Sequence, residues 1–149
     1  MNTIPIEEAI LVELFTADTT IVLDLPFAED GIYAGFPSPA ADYLELTLDL
    51  NTELIKNASS TFIGRVKGLS MIEDDIDDGD MVIIDKSLEP QDGKTAVCFL
   101  NGEFTLKKLK KLKDKLFLMP RNPKFQPIEV HPDDNFTVWG IVTYVIKKK

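Results

Sequence analysis

The sequence predicts a mostly β body with one short helix, preceded by an N-terminal arm. Three observations carry this prediction. From Thr61 onward, short runs rich in β-branched and aromatic residues alternate with turn residues, the pattern of strands. Before them, "LDLNTELIKN" (48–57) places Leu48, Leu50, Leu54 and Ile55 at spacings that suit one short helix. Residues 1–33 mix apolar and acidic patches and are broken by Pro5, Thr16 to Thr20 and Pro26, which rules out a long helix there. With 149 residues and 44% hydrophobic content, the chain has enough material for one core and too little for a second full domain.

The first 33 residues read as an arm. Their apolar residues (Ile10, Leu11, Leu14, Phe15 and Ile21 among them) are too frequent for a solvated tail, so the arm is expected to lie against the body or another subunit. Next comes "AGFPSPAADY" (34–43), neither helix nor strand. Its prolines fix their own backbone and bias Phe36 and Ser38 towards extended geometry, so on composition alone it is a linker. The helix at 48–57 has Asp49 or Asn51 available as a cap. Seven strands are then expected in "TFIGRVKG", "DMVIID", "TAVCFL", "EFTLKKL", "KLFLMP", "QPIEV" and "FTVWGIVTYVI". Asp78-Gly79, Asp92-Gly93 and Asn101-Gly102 mark turns between them. Asn101-Gly102 suits a type I′ turn, whose two central residues need positive φ, and this predicts an antiparallel hairpin with Lys107 on its second strand.

A formal charge of −9 argues against gripping phosphate backbones, which needs clustered Lys and Arg, so protein partners are expected and direct nucleic-acid binding is not. With one cysteine, Cys98, and one histidine, His131, the chain offers neither an internal disulfide nor zinc-ligand spacing, and a reducing cytosol fits. The start lacks the positive charge of a signal peptide, and no apolar run approaches the roughly 20 residues that cross a bilayer, so no membrane association is expected.

Few residues are equipped for chemistry. His131 in "EVHPDD" reads as a surface loop residue. The acidic run "EDDIDDGD" (73–80) fails the spacing of a calcium loop and reads as a solvated turn. "KKLKKLKDK" (107–115) reads as an edge-protecting charge pattern on a hairpin. "VKGLSMIEDDI" places Ser70 where an apolar strand ends and the backbone turns, a position that serves a nucleophile or merely a turn. With no triad histidine, the remaining base for it is a lysine made neutral by burial. In "EFTLKKL" strand alternation sends Lys107 and Lys108 to opposite faces, so one can be buried while the other is solvated; a lysine here can equally snorkel to water.

"AGFPSPAADY", "GLSMIEDDIDDGDMVIID", "LNGEFTLKKL" and "VWGIVTYVI", in this order, resemble the UmuD branch of the LexA-like self-cleaving serine peptidases, over about residues 34 to 146. The resemblance implies a LexA/UmuD-like body of small curved antiparallel sheets at 35–149 and a removable arm at 1–34. It implies that Ser70 is the nucleophile and Lys107 the general base of a Ser–Lys dyad. It further implies Ala34-Gly35 as the cleavage site, backbone N–H groups of Ser70 and Leu69 as oxyanion donors, and no cofactor or metal. The implied role is an SOS-response accessory in the cytoplasm. RecA filaments on single-stranded DNA would stimulate cleavage, and the processed homodimer would join a Y-family DNA polymerase. Two positions depart from common UmuD patterns: Leu69 stands where an acid is frequent, and the cleavage pair is Ala-Gly as in LexA. Neither departure removes a reacting group. The alternatives are a non-cleaving dimeric binding module of the same fold and a LexA- or phage-repressor-like regulator. An acidic 33-residue arm is too short for the helix-turn-helix that such a repressor carries.

Overall fold

The computed structural model describes residues 12–17, 19–22, 24–26 and 47–149, and these fall in two compact units. One unit holds the described residues of 18–58. In it β2 (Asp24–Pro26) pairs antiparallel with β3 (Thr47–Asp49), and α1 (Leu50–Leu54) follows directly. Asp49 caps α1 by accepting from the Thr52 backbone N–H at 3.1 Å, one of the two caps expected from sequence. The other candidate, Asn51, instead donates from its side chain to the Ile21 carbonyl at 3.1 Å.

The other unit contains 12–17 and 59–149 and is the mostly β body. After β1 (Val12–Thr16) come β4 (Thr61–Val66), β5 (Met81–Asp85), β6 (Thr95–Leu100), β7 (Glu103–Leu112), β8 (Lys115–Met119), β9 (Ile128–Val130) and β10 (Phe136–Ile146). All seven strands expected after Thr61 are present, and β1, from within the arm, joins them as an eighth. They form one antiparallel sheet in the order β1-β4-β5-β10-β6-β7-β8-β9. The last strand in sequence therefore lies between β5 and β6. Its register slips against β6 between Val138 and Gly140 and against β5 between Val142 and Tyr144, so two bulges bend the sheet along this strand. Gly140 is required at the first bulge: a Cβ there would stand 2.5 Å from Ile84 Cγ2, in the buried core.

The β6–β7 hairpin forms as its turn residues dictate, with φ at 49° for Asn101 and 92° for Gly102. Strand alternation divides the core between two clusters. Val97 and Leu106 join Val66, Met71, Ile76, Val82 and Ile84 in one; Ala96 and Cys98 join Leu109, Leu118 and Ile141 in the other. Trp139 packs on the first cluster, with its ring 4.9 Å from Phe62 and 5.7 Å from Phe104. No helix among the described residues is long and apolar enough to cross a membrane.

Candidate active site

Ser70 lies in the loop that leaves β4. The strand ends at Val66, and Gly68 reverses the chain at φ 107°, a left-handed conformation that a side chain would strain. The Gly68 N–H donates to Asp78 Oδ1 at 2.8 Å, and the loop base is closed by Val66 N–H to Asp80 O (2.8 Å) and Gly79 N–H to Val66 O (2.7 Å). A single 3-10 turn, Ile72–Asp74, follows the serine. Met71, between Ser70 and this turn, is buried in the core and anchors it.

A second segment, after β8, pins the serine from the side. Ser70 O accepts from Arg121 N–H at 2.6 Å, and Arg121 O accepts from Glu73 N–H at 2.7 Å. The buried Asn122 donates its side-chain amide to Leu69 O at 2.9 Å, while Arg121 Nε pairs with Asp74 Oδ1 at 3.0 Å. The backbone on both sides of Ser70 is thus fixed by groups far away in sequence. Among the described residues, neither the Leu69 nor the Ser70 backbone N–H has a hydrogen-bond acceptor.

Lys107 reaches this serine from β7. Its register partner is Ala96 on β6, whose small side chain leaves volume on that face. Lys107 is 0% exposed, as is Ser70, and its Nζ lies 3.3 Å from Ser70 Oγ. The same nitrogen donates to Thr105 Oγ1 at 2.7 Å and to Leu106 O at 3.3 Å. Lys108 points the other way and sits 3.9 Å from Asp74 Oδ2 at the surface, as alternation requires. On the neighbouring strand, burial pushes the Cys98 thiol up to about 12.

The fold therefore brings Ser70, Lys107 and the Leu69–Ser70 amides together. Ala34 and Gly35 lie outside the described residues. His131 is exposed in a turn in which its N–H donates to Asp134 Oδ2, away from this cluster. The acidic run is more than a solvated turn: buried Asp80 and its neighbour Asp77 both take hydrogen bonds from Lys147 at the end of β10. These bonds raise the Lys147 pKa, Asp77 contributing most and Asp80 next. Among the described residues no group of three or more His, Cys, Asp or Glu side chains is arranged to hold a metal ion.

Sequence reasoning missed Thr105 and Asn122. Thr105 was open to discovery, because a residue two positions before Lys107 on a strand shares its face. Asn122, in "RNPKF", gives no local signal of its bond to Leu69.

The mostly β fold and the buried serine–lysine pair suit a serine-peptidase-type domain, and the comparison with known families agrees with that class. The Peptidase S24-like family model matches residues 26–143, most of the chain, and the chain belongs to this family. Within it the chain is UmuD-like. It is 36% identical to Protein ImpA of Escherichia coli over 129 residues, which cover 83% of each chain. It is 41% identical to Protein SamA of Salmonella typhimurium over 115 residues, 77% of this chain and 79% of that one. With Protein MucA of Escherichia coli the identity is 38% over 124 residues, covering 83% and 84%.

Proposed function

We propose that the protein is a serine endopeptidase that cuts its own Ala34–Gly35 bond, separating an arm of residues 1–34 from a peptidase body of 35–149. The observation that carries this reading is the buried Lys107 Nζ at 3.3 Å from Ser70 Oγ. Complete burial drives an amine towards its neutral form. A neutral amine has two N–H donors and one lone pair; the donors serve Thr105 Oγ1 and Leu106 O, and the lone pair takes the Ser70 proton. Lys107 is then the general base and Ser70 the nucleophile.

Ser70 Oγ attacks the Ala34 carbonyl carbon while its proton passes to Lys107 Nζ. The Leu69 and Ser70 amides, which have no other described acceptor, receive the developing oxyanion. Lys107 returns the proton to the Gly35 nitrogen as the C–N bond breaks. Water, deprotonated by the same lysine, hydrolyses the Ala34 ester and restores Ser70. The prolines at 37 and 39 stiffen the departing side and lower the entropy cost of presenting the peptide.

In the cell, on this reading, the protein is a cytoplasmic accessory of SOS mutagenesis. RecA filaments on single-stranded DNA stimulate the cut, and the processed homodimer serves an error-prone Y-family polymerase. The support is the UmuD-like character of the chain. The test is mass spectrometry of purified protein held at mildly alkaline pH, with and without RecA, ATP and single-stranded DNA. A fragment beginning at Gly35, absent from Ser70→Ala and Lys107→Ala, is expected. A folded wild-type chain that stays whole under every condition overturns the proposal and leaves a non-cleaving binding module.

A further inference from the structure

The sheet has two edges, and they are built differently. At one end β9 has three residues, Ile128–Val130, follows Pro127, and carries Glu129 in an ion pair with Lys115 at 3.5 Å. A short edge with a proline and charges resists further pairing. At the other end the terminal strand is β1, and it comes from the arm. Inside it, β4 is six residues long with Arg65 as its one charge, and it contains no proline. Five of its residues are paired with β1, from Val12↔Val66 to Thr16↔Phe62.

We propose that the β4 edge is a strand-docking site. In the intact chain the protein's own arm occupies it; once residues 1–34 are cut away, it takes an extended acidic and apolar segment of a partner protein by main-chain pairing. The handover rests on the self-cleavage proposed above. Cutting at Ala34 leaves β1 on the released fragment. A tethered strand is presented at an effective concentration on the order of millimolar, whereas a released fragment at micromolar protein is about a thousandfold more dilute. A five-residue ladder that holds in the first case lets go in the second. The β4 backbone then presents unpaired N–H and C=O groups, which a strand from another chain satisfies.

The register specifies the occupant. Glu13 stands opposite exposed Arg65, so an acid is favoured there; Leu14 stands opposite Gly64, Phe15 opposite Ile63 and Val12 opposite Val66, so apolar residues are favoured around it. "VELF" is the pattern a partner has to reproduce. The edge is also backed by the core, since the Phe62 ring packs tilted against Trp139 of β10 in the middle of the sheet.

The experiment uses the full-length chain in a Ser70→Ala background, so that no bond is cut, and a fluorescent peptide with the sequence of residues 9–19. Leu14→Pro breaks the arm's own ladder and vacates β4. The peptide is expected to bind this variant saturably, and at least about fiftyfold more tightly than it binds the chain with an intact arm, whose tethered strand competes. Adding Arg65→Glu is expected to abolish binding, and a peptide with Glu13→Lys to restore it. Equal binding to both chains, failure of the charge swap, or β4 amides protected by self-association of the Leu14→Pro chain would each overturn the proposal. Trp139 fluorescence reports the fold; should Leu14→Pro perturb it, replacing residues 12–16 by Gly and Ser gives the same vacancy. Since no bond is cut, a negative result leaves self-cleavage standing, and a chain that never cleaves still keeps the docking edge.

Discussion

Thr105→Val tests whether the candidate base is held as the geometry implies. The substitution replaces a hydroxyl by a methyl of nearly the same size, so it removes an acceptor without opening a cavity. In the native protein that acceptor is 2.7 Å from Lys107 Nζ, with Thr105 at 7% and Lys107 at 0% exposure. Water does not replace it at such burial, and the lost bond is expected to lower stability by about 1–3 kcal/mol, read from the urea midpoint. The amine also loses the contact that aims it at Ser70, and self-cleavage at its alkaline plateau is expected to slow by roughly 10- to 100-fold. An ammonium donates more strongly than an amine, so removing an acceptor disfavours the charged form more. The rising limb of the pH–rate profile is therefore expected to move to lower pH even as the plateau falls. Thr105→Ser, which keeps the oxygen, is expected to restore both. A variant that loses stability but keeps both the plateau and the limb would refute this reasoning and leave Thr105 with a role in folding alone.

Asn122→Ala removes the 2.9 Å bond to Leu69 O and is expected to slow cleavage by about tenfold at a stability cost of about 1–2 kcal/mol, measured by product mass over time and by urea titration. Gly140→Ala places a methyl 2.5 Å from Ile84 Cγ2 in a core that cannot yield, and is expected to cost about 1–3 kcal/mol on urea denaturation. Cys98 titrates at about 12 when folded against an ordinary value of 9.0, so above pH 9 the unfolded chain has lost a proton that the folded chain keeps. Stability is then expected to fall between pH 9 and 12 by up to about 1.4 kcal/mol per pH unit, and Cys98→Ala to flatten that fall in denaturation series.

The strands from Thr61 onward were legible because their periodicity, turn residues and β-branched composition all agree. Ser70 and Lys107 were legible as separate candidates, and alternation correctly sent Lys107 and Lys108 to opposite faces. Their approach to each other was legible only through the family resemblance, since physically it depends on a loop pinned by Arg121 and Asn122, about fifty residues downstream of Ser70. The acidic run misled for the same reason: its partner, Lys147, lies 67 residues beyond Asp80. In the arm, the density of apolar residues foretold packing, but a five-residue edge strand takes its geometry from β4 and has too little pattern of its own to be seen.

The position of β10 bears on when during synthesis Ser70 and Lys107 can be brought together. Ser70 follows β4, on one half of the sheet, and Lys107 lies on β7, in the other half; in the ladder the two halves meet through β10, residues 136–146. A ribosome therefore makes every residue up to Phe136 before it can supply the strand that joins the half of the sheet next to Ser70 to the half that carries Lys107. On the self-cleavage proposed above, growing chains carry the Ala34–Gly35 bond long before they carry a working site, and they are expected to leave the ribosome uncut. A chain terminated before Phe136 is expected to show no self-cleavage although it contains every reacting residue. On the proposed reading, processing waits until β10 is in place.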